Sequence, residues 1–181
     1  ATPAAVSVPS VWLLGSSDYS ATLAADRGLP YVFAHHFSGK GTAEALELYR
    51  SGFRPSEACP EPRTFLTVNA AVAATQQESD RLALPQLLAM LALRTGAPLT
   101  AQLLVEDAER VELSEAHRGL LAAMRSRWVI GDPQQARAAI EDLAASYGVD
   151  EVMVHPVAGA HEGTAQASSP AREETLRLLA A

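Results

Sequence analysis

Short apolar runs alternate with stretches of helical period along this chain. The run VWLLG at 11–15 follows a proline and is too short for a helix, so it predicts a buried strand. In SSDYSATLAADRG, Ser16 or Ser17 can cap a helix, Asp18 suits its first turn and Gly28 closes it. LPYVFAHHF predicts a second strand over 30–36, and TAEALELYRSGF (42–53) a second helix whose apolar face holds Ala45, Leu46, Leu48, Tyr49 and Phe53. The prolines of RPSEACPEPR make it a loop. TFLTVNAAVAAT (64–75) predicts a third strand. Thr75 and Glu78 have capping-box spacing for the next helix, which Pro85 should kink or break.

TGAPLTAQLLVEDAERVEL carries no readable period, whereas SEAHRGLLAAMRSRW reads as another helix. The clearest unit is VIGDPQQARAAIEDLAASYGVDEVMVHP: Asp132 caps, Pro133 takes the first helical position, Gly148 ends the helix and DEVMVH is a buried strand. Residues 157–170 are expected to be a mobile tail before a final helix in AREETLRLLA. Strands alternating with helices imply right-handed crossovers and a parallel sheet. The expected class is α/β, either an open layer or one half of an eight-stranded barrel, in a single domain over 1–181 with 1–10 as leader or linker.

Composition narrows the function classes. A chain of 181 residues buries roughly 70% of its unfolded surface, enough for a core without staples. With 48% hydrophobic and 19% charged residues it has the make-up of a soluble globular protein. A net charge of −7 with scattered basic residues argues against a nucleic-acid partner. No apolar run approaches the roughly 20 residues of a membrane span, and the N-terminus lacks a secretory pattern, so no membrane partner is expected. Cys59, the single cysteine, cannot form an internal disulfide, and cytoplasmic localisation is the natural expectation. The chain starts without Met, which suggests processing or a piece of something longer. No histidine–carboxylate pair has metal-ligand spacing on one helix face, and no nucleophile elbow or Walker loop is present.

The strand–Gly–Ser–Ser–helix turn has a chemistry of its own. A helix N-terminus offers unpaired N–H groups and a positive dipole end, which suit a phosphate, and small hydroxyls add donors without blocking approach. Gly15 lets backbone come close, Ser16 and Ser17 present N–H and O–H groups, and Ser20 lies one turn on. An ordinary serine cap is the other reading. His35 and His36 end the second predicted strand, and adjacent strand residues point to opposite faces, so at most one looks toward a ligand. A structural histidine bonded to a carbonyl remains open for either. His155 ends the last strand and is a further candidate, whereas His117 reads as solvated and His161 as part of the tail. Trp12 reads as core, and Tyr19 as either core or a ring-stacking group.

VWLLGSSDYSATLAADRGLPYVFAHHF with ALELYRSGFRPS, and the closing VIGDPQQARAAIEDLAASYGVDEVMV, resemble the second half of the bacterial luciferase-like, flavin-dependent monooxygenases. The resemblance implies a TIM-barrel-type (β/α)8 fold, here its second half. It implies reduced FMN, supplied by a separate reductase, at the C-terminal ends of the strands, where oxygen adds to the flavin before attack on a small organic substrate. It places Gly15, Ser16, Ser17 and Ser20 at the flavin phosphate and favours His36 as the catalytic histidine. The family's Glu-His-His stretch and an Arg-containing flavin segment belong to the other half, so this chain alone is expected to be inactive. A truncated relative that binds flavin or another phosphorylated ligand without turnover, and a structural module with no ligand, are the alternatives. VWLLG and DEVMVH are too apolar for solvated edges, so the absent N-terminal half or a second copy of the chain is an expected partner.

Overall fold

A computed structural model describes Ser7, residues 9–37 and residues 39–181. The leader assigned to 1–10 therefore lies largely outside the described residues. The chain divides into two compact units, Ala1–Thr67 with Tyr147–Glu151, and Val68–Ser146 with Val152–Ala181.

The first unit holds β1 (Leu13–Gly15), α1 (Asp18–Arg27), β2 (Tyr31–Phe33), α2 (Thr42–Gly52) and the start of β3 (Thr64–Val72). Pairing is parallel, Leu13 opposite Tyr31 and Tyr31 opposite Thr64. Alanines 21, 24 and 25 are buried on α1, and their small side chains let α2 approach closely. Gly28 ends α1 with φ of 58°, and a Cβ there would lie 2.5 Å from the Arg54 carbonyl, so both conformation and space demand glycine. Tyr31 and Tyr49 pack with tilted rings, their centroids 5.3 Å apart, and burial raises both phenol pKa values. The second strand stops at Phe33, short of the expected 36, because His35 N–H turns back onto Phe33 O and Phe37 N–H closes a turn onto Ala34 O. His35 and His36 therefore sit in a turn, and strand alternation does not govern them.

The second unit continues β3 and adds α3 (Gln76–Thr95), α4 (Val105–Ala108), α5 (Glu115–Arg125), β4 (Val129–Gly131), α6 (Pro133–Tyr147, its last residue counted with the first unit), β5 (Val152–Pro156) and α7 (Pro170–Ala180). β4 runs parallel to β3 with Ala70 opposite Val129, and β5 also pairs with β3. Val68, Ala70 and Val72 pack with Ile140 and Leu143 of α6 and Leu178 and Leu179 of α7. Ala71 and Ala73 pack instead with Leu82, Leu87 and Leu91 of α3 and with Met124 of α5. Asp132 caps α6 as expected, its Oδ1 accepting from Gln134 N at 2.9 Å and Gln135 N at 3.0 Å.

Three expectations need correction. DEVMVH is not a buried strand: Val152 and Val154 are half-buried against the α6–α7 side, while Met153 is 51% exposed and His155 is also exposed, because only one face is covered. The third strand ends at Val72 rather than 75, where Ser79 Oγ accepts Ala73 N–H at 2.9 Å and diverts the chain into α3. Pro85 does not break α3, which runs through it as one 20-residue helix. The proline ring lies against Gly159, where a Cβ would come within 2.7 Å of Pro85 Cγ, and Gly159 N donates to Leu82 O at 2.7 Å.

The edge of β3 is finished by a side chain. Thr175 of α7 is fully buried; its Oγ1 accepts Val72 N–H at 3.2 Å, and its own proton has Ala171 O at 3.0 Å and Val72 O at 3.3 Å within reach.

Candidate functional site

The serine turn forms as its composition demands. Ser17 is the N-cap of α1 in extended conformation, its Oγ accepts from Ser20 N at 3.4 Å, and the Ser20 side chain returns the bond to Ser17 N. Ser20 is buried: its hydroxyl donates to Ser17 O at 2.7 Å and lies 3.1 Å from Tyr31 Oη. Gly15 has a packing reason to be glycine, since a Cβ would meet Ser20 Oγ at 2.2 Å. Ser16 and Ser17 are exposed, so within the four-residue set two serines are presented to solvent while Gly15 and Ser20 shape the turn. Asp18 occupies the first turn and complements the helix dipole. Tyr19 is 76% exposed, whereas Trp12 is half-buried against Phe65, with Arg63 stacked 5.5 Å above its ring.

The histidine pair is tethered through two threonines. His35 is buried, its Nδ1 2.9 Å from Thr42 Oγ1, and its ring meets Tyr147 edge-on. His36 is half-buried, with Nδ1 2.5 Å from Thr67 Oγ1. Thr67 Oγ1 also reaches Phe33 O at 3.2 Å and Thr42 Oγ1 reaches Gly39 O at 3.3 Å, so each threonine bridges its histidine to a backbone carbonyl. In the second unit His155 Nδ1 lies 2.9 Å from Asn69 Oδ1, and partial burial with the Arg172 charge lowers its pKa.

A feature of the second unit had no signal in the sequence. A cleft of about 640 Å³ opens where β3 and β5 end, between Val72, Leu82, Ala158, His161, Pro170 and Arg172. The carboxyl ends of parallel strands are where α/β proteins place their ligands. Residues 157–159, within the segment expected to be mobile, are buried, and His161 is bonded to Glu78 and Glu106. Those partners lie 83 and 55 residues away, too far for any local pattern to reveal. Among the described residues, no three histidine, cysteine or acidic side chains are grouped to hold a metal, and no helix is long and apolar enough to cross a membrane.

A family model described as luciferase-like monooxygenase matches residues 1–151. The chain belongs to the luciferase-like monooxygenase family. Within it, the uncharacterised Bacillus subtilis protein YvbT is 37% identical over 150 residues, which are 83% of this chain and 44% of that protein. The crystal structure of apo-MsnO8 matches with a TM-score of 0.80 and 26% identity over 99% of this chain and 52% of that one. The type II Baeyer–Villiger oxygenating constituent of 3,6-diketocamphane monooxygenase from Pseudomonas putida, solved in complex with FMN, shares the fold at a TM-score of 0.57 and 18% identity, over 94% of this chain and 47% of that one. This luciferase-like chain thus spans about half the length of the relatives it matches. Its parallel strands alternating with helices are of the α/β class that the TIM-barrel-type luciferase-like fold requires.

Proposed function

We propose that this chain is the flavin-phosphate-binding part of an FMN-dependent luciferase-like monooxygenase. The observation that carries the reading is the exposed Ser16–Ser17 pair at the N-terminus of α1, directly after a parallel strand, in a chain of a monooxygenase family. A structural neighbour whose crystal holds FMN supports the choice of cofactor. The donor set suits a phosphate: the exposed Ser16 and Ser17 stand at a positive dipole end, and Gly15 and Ser20 lock the turn that presents them. FMN, once bound, supplies the oxygen-activating redox chemistry. The chain's own part is to hold and orient the phosphate, with Nδ1 of His36 held on Thr67 so that its ring keeps one orientation. Reduced flavin comes from a separate reductase, the substrate is a small organic molecule, and the remaining half of the barrel completes the enzyme.

Titrating the purified chain with FMN tests the binding step. Saturable quenching of flavin fluorescence is expected, and its absence at millimolar FMN overturns the assignment. Oxygen consumption on adding NADH, a flavin reductase and FMN separates turnover from binding alone.

A further inference from the structure

One wall of the cleft in the second unit follows β5 and is tied to α3 and α4 through an imidazole and to α4 through two backbone groups as well. His161 Nδ1 lies 2.6 Å from Glu106 Oε1, and Nε2 lies 2.9 Å from Glu78 Oε1. Carboxylates only accept, so a ring bonded to one through each nitrogen carries both protons and is an imidazolium. The second oxygen of Glu106 accepts Glu162 N–H at 3.0 Å, and Val105 N donates to Ala160 O at 3.0 Å. Arg81 in turn bonds both Glu78 and Glu109. From Glu109 through Arg81, Glu78 and His161 to Glu106 the charges alternate in sign. Glu162 is the ionisable neighbour on His161's own segment.

We propose that His161 is a protonation-dependent latch: charged, it fastens residues 160–164 to α3 and α4, and neutral, it gives up that double hold and leaves the wall of the cleft on its backbone contacts with α4. A neutral imidazole has one N–H. Losing the proton leaves either Glu78 or Glu106 facing a nitrogen lone pair; Glu78 then keeps Arg81 as counter-charge, while Glu106 loses the cation it is paired with. The bonds upstream, Val157 N to Ala70 O and Gly159 N to Leu82 O, do not involve the ring and define where the moving part begins.

The pH window follows from the two partners. Glu106 above all, with Glu78, raises the pKa of His161 above its ordinary 6.5, and the His161 bond lowers that of Glu106 to about 2. A raised histidine pKa means the latch is fully closed below 6.5 and is lost as pH climbs through the raised value. On the acid side the bond to Glu106 is lost as pH falls toward that carboxyl's lowered pKa.

Amide hydrogen exchange, corrected for intrinsic rates and read between about pH 6 and 9, is the test, alongside an NMR titration of the His161 ring. Protection of residues 160–164 is expected to fall about tenfold as the ring titrates, while α3 stays protected. Glu106→Gln should move the ring titration and the loss of protection to lower pH together, and His161→Gln should leave 160–164 weakly protected at every pH. Protection that stays flat while the ring titrates overturns the latch, as does a ring that titrates at or below 6.5, its ordinary value. Neither readout involves flavin, so the result is independent of whether the chain binds FMN.

Discussion

At the scale of single residues, the serine turn separates cap from ligand. Ser17→Asp keeps a side chain that caps helices well, so the melting behaviour should barely change. It also puts a carboxylate where a phosphate is expected to sit, and FMN affinity should fall at least about tenfold. Equal affinity in the two proteins, measured by fluorescence titration, removes the phosphate from this turn. Asp18→Asn tests the same field with the opposite sign: removing a first-turn negative charge should tighten FMN binding several-fold at low salt and less at high salt. The histidines should also part company. His35→Ala strips a buried bond to Thr42 and is expected to cost about 1–3 kcal/mol in denaturant unfolding. His36→Ala, at a half-buried position, should cost less and should alter the spectrum of bound flavin instead. The pair itself was plain in the sequence, but its orientation was not: the strand ends at Phe33, and alternation predicts nothing about a turn. Glu78 shows a similar limit. Its spacing from Thr75 suggested a reciprocal cap, and Thr75 does accept Glu78 N–H at 3.2 Å, but the carboxylate is taken by Arg81 and His161.

At the scale of elements, local signals were legible where they are local by nature. The Asp132–Pro133 start of α6 and the Gly28 end of α1 are set by backbone groups a few residues apart, and both stand where composition placed them. Pro85 misled because the cost of a proline depends on what lies beside the helix: its ring packs on Gly159, 74 residues further on, where no side chain competes for the space. Gly159→Ala should therefore destabilise the second unit by about 1–3 kcal/mol through overpacking on Pro85. Pro85→Ala in the same chain should recover part of that loss, so a double-mutant cycle in urea should give a coupling energy clearly different from zero. Additive effects would show that the ring and the glycine do not feel each other. The stretch at 95–113 stayed unreadable because its one helix, α4, is a single turn held by Ala160 O and the core around Val105, too short for any period to show.

At the scale of the whole molecule, the class of fold was legible from the order of elements, and the family from two motifs. The cleft was not, since its walls come from four separate stretches of chain. Leu14 on β1 is 58% exposed and Met153 on β5 is also exposed, large apolar groups on strands that solvated edges seldom tolerate. Sedimentation at micromolar concentration should show species heavier than the 19.1 kDa chain, and a compact monomer with one sharp melt would count against a partnered sheet. Thr175 adds a consequence for how such a chain can be cut or extended. Its hydroxyl serves the end of β3 as another strand's backbone would, so the last eleven-residue helix stands in for a sheet neighbour. Removing that helix, or replacing Thr175 by the equally shaped Val, should leave the Val72 N–H without its acceptor and offer the end of β3 to a strand from another chain.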